Sequence, residues 1–219
     1  GYFSFNVDGG RCEKCQGEGQ ITISMQFMAD VHLKCDECNG SRFKEEVLEV
    51  KYKGKNIAEV LEMTVLESLE FFNEESTICK KIKIKIQALY DVGLEYVQLG
   101  QPSNTLSGGE AQRIKLASFL CQSKSKQQKL FIFDEPTTGL HFHDIKKLLK
   151  ALQDLVEMGH HVIIIEHHMD IIKCSDYIID LGPEGGEKGG SLLFEGNPKE
   201  FINKNQLHSY TQKYLKEYF

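Results

Sequence analysis

The 219-residue sequence predicts an α/β protein with a mainly parallel sheet, a helical subdomain and an inserted four-cysteine ribbon. Three observations carry that expectation. Two CxxC pairs flank a run of strand periodicity near the amino end, the middle of the chain has helical apolar spacing, and from Lys129 onward apolar strands alternate with amphipathic helices. At 41% hydrophobic and 26% charged residues the chain can bury a real core, in one large domain or two small ones.

The cysteine pairs come first in the chain. Cys12-x2-Cys15 and Cys35-x2-Cys38 have 19 residues between them (16–34), the spacing of a structural zinc site with four thiolate ligands. Each CxxC turn lets two thiolates face one ion. Between them Ile21, Ile23, Met25 and Phe27 alternate with Thr22, Ser24 and Gln26, and Asp30 breaks the run before Val31-His32-Leu33, so a hairpin ribbon with a metal-pinned base is expected. Gly17, Gly19 and Gly40 suit knuckle turns in which amides point at sulfur. The competing reading is a pair of redox couples, but a redox CxxC normally stands singly at a helix start. His32 reads as an ordinary strand residue, because four cysteines already fill a tetrahedron. Seven cysteines, with Cys79, Cys121 and Cys174 scattered singly, favour metal plus free thiols in a reducing cytoplasm over disulfides.

A short strand is expected at Val47 to Tyr52. Helical spacing follows at Ile57, Val60 and Leu61, and Thr64-Val65-Leu66-Glu67 has the form of a capping box before Leu69 and Phe72. A longer helix is predicted from Ser76 to Val92, with Ile78, Ile82, Ile86 and Leu89 as its stripe and Gly93 as its stop. The lysines Lys80, Lys81, Lys83 and Lys85 on that helix read as a solvated face rather than a DNA track. Beyond Lys129 come a strand at Leu130 to Phe133, a helix at Asp144 to Met158, a strand at Val162 to Ile165, a helix at Met169 to Cys174 and strands at Tyr177 to Leu181 and Ser191 to Phe194. Continuous apolar strands indicate a mainly parallel sheet covered on both faces, with an antiparallel edge after Gly190 and a helical tail from Pro198 to Phe219.

Two further segments carry chemistry. Leu106-Ser107-Gly108-Gly109-Glu110 opens a helix running through Ile114, Leu116, Ala117 and Leu120, so free amides, a hydroxyl and the positive helix end converge as a phosphate cradle. Ser107 and Glu110 also have capping-box spacing, and both uses can coexist. Leu130 to Glu135 is a buried strand ending in two acids: Asp134 is placed to hold magnesium through water and Glu135 to polarise an attacking water. The strand Val162 to Ile165 brings His167 to the same sheet edge, in reach of a terminal phosphate.

Taken together, these residues resemble a known family. Leu106 to Glu110 is the signature of ABC ATPases, Leu130 to Glu135 resembles their Walker B, and His167 matches their switch histidine. The strings GGRCEKCQGEG, YKGKNIAEVLEMTV, LYDVGLEYVQLGQPSNTLSGGEAQRIKLAS, FDEPTTGLHFHDIKKLL and IDLGPEGG are similar to the second nucleotide-binding half of the UvrA family, over nearly the whole chain. The resemblance implies a nucleotide excision repair ATPase that uses zinc, ATP and magnesium, dimerises, recognises damaged double-stranded DNA and hands it to a UvrB-like partner in the excinuclease. It implies that Ser107, Gly108, Gly109 and Glu110 meet ATP held by an opposing domain, that Thr137 to His141 cross between two ATP sites, and that residues 12 to 38 have a DNA role. It divides the chain into a lead-in strand (1–11), a zinc ribbon (12–46), a helical signature subdomain (47–128) and an ATPase core with Walker B and switch histidine (129–219).

Departures from the family pattern set further expectations. No GxxxxGK[ST] loop occurs, since the only Gly-Lys pair, Gly54-Lys55, is followed by Asn56 and lacks the upstream glycine. The missing loop is expected upstream of Gly1 in a longer protein, with this chain inactive alone. His168 stands where the family often has asparagine. A zinc-stabilised DNA-binding or interaction module with vestigial ATPase residues is the alternative reading. A DnaJ-like zinc module has no place for the signature, and a transporter subunit lacks the ribbon. No apolar run approaches a membrane span, Gly1 to Gly10 lack the basic and apolar regions expected of a signal peptide, and a net charge of -6 gives no general attraction to nucleic acid.

Overall fold

The computed structural model describes residues 1–25, 30–121, 127–186, 189–205 and 208–218. It divides into two compact units, Gly1–Tyr90 with Leu94–Ser107, and Asp91–Gly93 with Gly108–Phe219.

In the first unit, strands β1 (Gln20–Ile23) and β2 (Val31–Lys34) pair antiparallel in the register Gln20 to Lys34 and Ile23 to Val31. The predicted ribbon forms, but its first strand ends at Ile23, short of Ser24 and Met25; Gln26 and Phe27 lie outside the described residues. The strand expected at Val47 to Tyr52 is not formed. Instead α1 (Glu45–Leu48) buries Val47, with Glu45 and Glu46 in the first turn where carboxylates favour a helix start. The chain then reverses at Tyr52 and Lys55, whose backbones exchange two hydrogen bonds of 2.9 and 3.0 Å around Lys53 and Gly54 at φ 49° and 80°.

Helices α2 (Ile57–Leu61) and α3 (Val65–Phe71) both start with capping boxes, Asn56 with Glu59 and the predicted Thr64 with Glu67. Helix α4 (Thr77–Asp91) buries Cys79 and Ile86 and half-buries Ile82 and Leu89, against Val65, Phe72, Val60 and Leu69. One expectation is corrected here. Ile78 is 71% exposed, and Cys79 takes its place in the stripe because its amide bonds the Ser76 hydroxyl at 3.1 Å and turns that position inward. Gly93 at φ 76° follows the helix, as its sequence position predicted.

The second unit holds α5 (Gly108–Leu120), β3 (Leu130–Asp134), α6 (Phe142–Glu157), β4 (His161–Ile165), α7 (Met169–Ile172), β5 (Ile178–Gly182), β6 (Ser191–Gly196), α8 (Pro198–Asn203) and α9 (Tyr210–Leu215). Strands β3 and β4 are parallel, in register from Leu130 with His161 to Asp134 with Ile165. Strands β5 and β6 are antiparallel, the edge expected after Gly190. Helix α6 supplies the core with Ile145, Leu148, Ala151, Leu152 and Leu155, a single stripe packed on β4 and α5. It stops at Gly159 (φ 87°), where His160 donates to Leu155 and Gly159 to Val156, closing the last carbonyls. The β3–β4 pair buries Phe133 on one face, whereas Leu130, Ile132, Ile163 and Ile165 on the other stay 48–63% exposed.

Candidate metal centre and nucleotide site

The four cysteines converge. Cys12, Cys15 and Cys35 are buried, Cys38 is half-buried, and their sulfurs lie within 4.8 Å of one another. Cys12 and Cys35 Sγ are 3.9 Å apart, Cys15 and Cys38 Sγ 3.6 Å. Zinc–sulfur bonds of about 2.3 Å in a tetrahedron give edges of about 3.8 Å, so the donor set fits that ion. These separations also exclude disulfides. Gln16 and Asn39 sit at φ 52° and 49°, next to glycines at 87° and 82°, so each knuckle turns through the left-handed region. Gly19 donates its amide to Cys15 Sγ at 3.3 Å, and a Cβ there would stand 2.8 Å from the Gly40 carbonyl oxygen.

The electrostatics set a proton cost on metal binding. Burial pushes the Cys12 thiol up and the Cys38 thiol up to about 12, whereas the Cys38 and Glu37 amides pull Cys35 down. Buried thiols that resist ionising one by one need a metal charge to ionise together, so metal binding would release protons. Lys14 pairs with Asp36 at 2.6 Å and Lys44 with Glu13, which ties the first knuckle to the second and to the residue that precedes α1. His32 is outside the cluster; its Nδ1 meets the Thr22 hydroxyl across the ribbon at 3.0 Å.

Parallel pairing brings the carboxyl ends of β3 and β4 side by side, and with them Asp134, Glu135 and His167. Glu135 donates its amide to Ile165 O at 2.9 Å and takes φ 44°, a left-handed backbone that costs a non-glycine residue about 1–2 kcal/mol. Its carboxylate lies 3.6 Å from His167 Nδ1, and both side chains are open to solvent. An acid and an imidazole at this separation, beside a second acid at a strand end, can orient a water and touch a phosphate. Helix α5 opens at Gly108, where an added Cβ would meet nothing within 4 Å, while Gly109 is buried with the Thr138 carbonyl oxygen 3.0 Å from such a Cβ. Ser107 is the last residue of the first unit.

Three residues without a role in the sequence reading hold this site. Gln112 donates to Asp134 O at 3.1 Å. Arg113, only 1% exposed, donates to Pro136 O at 3.0 Å and Thr138 O at 3.4 Å, anchoring the loop after the acids onto α5. Arg113→Ala is expected to cost about 3 kcal/mol, because the buried Pro136 carbonyl and the part-buried Thr138 carbonyl lose a charged donor and the stem leaves a void. An unfolding free energy from urea titration that falls by less than about 1 kcal/mol would contradict that anchoring. The third residue is Glu166, whose side chain is 2% exposed. Its Oε1 accepts from the Thr137 amide at 3.1 Å and from the Thr137 hydroxyl, and its Oε2 accepts from the His167 and His168 amides at 2.8 and 3.0 Å. Burial works against the charge, but the Thr137 hydroxyl and these amides outweigh it and hold the carboxyl below its usual range. A carboxylate closing an apolar strand before two histidines was the available signal. His168 caps α7, its Nδ1 accepting from the Asp170 amide at 3.3 Å, which is the capping work an asparagine would do at that position.

Comparison with known proteins identifies the family. A family model described as ABC transporter matches residues 14–138, more than half of the chain. UvrABC system protein A of Clostridium perfringens is 58% identical over 218 residues, covering 100% of this chain and 22% of that protein. The protein of the same name from Aquifex aeolicus is 56% identical over 218 residues, covering 100% and 23%. The crystal structure of UvrA2 from Deinococcus radiodurans superposes with a TM-score of 0.84 at 46% identity, over 99% of this chain and 26% of that one. The chain thus spans less than a quarter of the length of these curated relatives. No helix among the described residues is long and apolar enough to cross a membrane. By its family match and by relatives that resemble it from end to end, the chain belongs to the ABC transporter family of ATPases, in the branch of UvrABC system protein A.

Proposed function

We propose that this chain is the zinc-bearing, signature- and Walker B-carrying part of a DNA-damage-recognition ATPase of nucleotide excision repair, a cytoplasmic protein that works as a homodimer. The supporting observation is the meeting of Glu135 and His167 at 3.6 Å on the strand ends that also carry Asp134, in a chain that folds a four-thiolate cluster as well. Glu135 serves as the base that polarises water, His167 contacts the γ-phosphate, Asp134 holds magnesium through water, and Ser107, Gly108, Gly109 and Glu110 receive ATP from an opposing domain. Zinc sits among Cys12, Cys15, Cys35 and Cys38, and residues 12–38 act on damaged double-stranded DNA. A UvrB-like protein receives the lesion, and incision belongs to other subunits.

The phosphate-binding loop lies upstream of Gly1 in the longer protein. The lack of a GxxxxGK[ST] loop in this sequence supports this, in a chain that covers 22–23% of the relatives it matches. ATP turnover by this chain is expected to be absent and to appear once the chain is extended upstream to include that loop, with zinc measured in both. An extended protein that binds zinc and DNA but never hydrolyses ATP leaves the vestigial-module reading in its place.

A further inference from the structure

A carboxylate removed from water must be matched by donors, and Glu166 spends all its acceptor capacity on two loops. One oxygen is committed to Thr137, in the loop that follows the two acids of β3. The other is committed to the backbone of His167 and His168, in the loop that follows β4. Between these loops stands the Glu135 carboxylate, reached by His167 Nδ1 at 3.6 Å, and the Thr138 amide bonds the Glu135 carbonyl at 3.1 Å. Neither loop can shift without breaking a charge-assisted bond or carrying Glu166 with it.

We propose that Glu166 is a positioning residue that bolts the Thr137 loop to the switch-histidine loop, so that His167 and Glu135 keep their mutual geometry only while the Thr137 loop is seated. The inference rests on the ATPase reading above. It gives the Thr137–His141 loop a route into the hydrolytic geometry of its own domain: a displacement of Thr137 removes two donors from one carboxylate oxygen and loosens the other oxygen's hold on the His167 amide. Glutamine cannot replace the bolt, because an amide offers one accepting oxygen where four donors converge, and its NH2 would face two of them.

The test uses the full-length protein that carries this chain. Glu166→Gln and Thr137→Val are each expected to lower kcat for ATP at least about 10-fold with KM within about 2-fold, since ATP contacts are not removed. Thr137→Ser is expected to retain turnover. The double variant is expected to be no slower than the slower single one, because both break the same link. An unchanged kcat in Glu166→Gln, a raised KM with kcat preserved, or additive losses in the double variant overturns the proposal. Thr137→Val keeps the test decisive if Glu166→Gln does not fold. If Glu135→Gln in the same protein turns over at the parent rate, the ATPase reading itself falls, and the coupling falls with it; a dead Glu135→Gln beside a fully active Glu166→Gln rejects the coupling alone.

Discussion

Cys15→Ser, or removal of metal by a chelator, is expected to unfold the ribbon of the first unit and abolish its zinc, from about one ion per chain to none. The ribbon has little else to hold it. Its strands are four residues each, and Ile23, Val31 and Leu33 point into solvent. A two-stranded hairpin is marginal by itself in water. Among the described residues, the buried cluster at its base consists of the cysteines with Ile21 packed on them, so a metal ion held there would supply most of the cohesion. Structural zinc binding in small modules reaches about 10–16 kcal/mol, far above anything that Lys14 with Asp36 can supply at the surface. Hydrogen exchange at the Cys12, Gly19 and Cys35 amides is the measurement, because these bond Arg42 O, Cys15 Sγ and Gly19 O only when the knuckles are closed. Protection there is expected to fall at least about 100-fold while the α6 stripe keeps its own. Acid should act in the same direction, since thiols pushed up by burial hold their protons against the metal. Full protection in a metal-free Cys15→Ser chain would show that the knuckles fold without an ion.

Much of this was legible in the sequence, and the places where it was not share a cause. CxxC spacing states ligand geometry directly, because two thiolates three positions apart can meet only at a tight turn, and Gln16 and Asn39 duly enter the left-handed region. The α6 stripe was legible because Leu148, Ala151, Leu152 and Leu155 repeat at helical spacing and Gly159 ends them. Val47 to Tyr52 misled because β-branched and aromatic side chains advertise a strand. There the burial of Val47 and a two-residue reversal at Lys53 and Gly54 outweighed propensity. Ile78 failed for a related reason, since its phase on α4 is set by the Ser76 cap rather than by its own hydrophobicity. Gln112 and Arg113 were hidden because their partners are carbonyls 22 to 25 positions away in the chain, and Glu166 because one of its oxygens is met by Thr137, 29 positions away. A sequence pattern reports side-chain types, and it carries no record of which carbonyl or amide a loop will present.

The largest effect on chemistry is expected from Glu135→Gln in the longer protein: turnover should fall about 10²–10⁴-fold with ATP affinity retained, the range a positioned base contributes. Glutamine matches glutamate in size and suffers the same left-handed backbone, so the change isolates the charge that would polarise water. Asp134→Asn should differ in kind, weakening magnesium-dependent ATP binding. The backbone supplies an independent check. A non-glycine residue at φ 44° is strained, and the amide bond to Ile165 O holds it there. Glu135→Gly is therefore expected to leave thermal stability unchanged or raise it by up to about 1 kcal/mol, although glycine elsewhere in a fold usually costs stability. A variant that is inactive yet no less stable would mean that the strain is kept for the carboxylate's position. If Glu135→Gly destabilised the protein by more than about 2 kcal/mol, the glutamate would be holding the loop together, and its left-handed backbone would be no argument for catalysis.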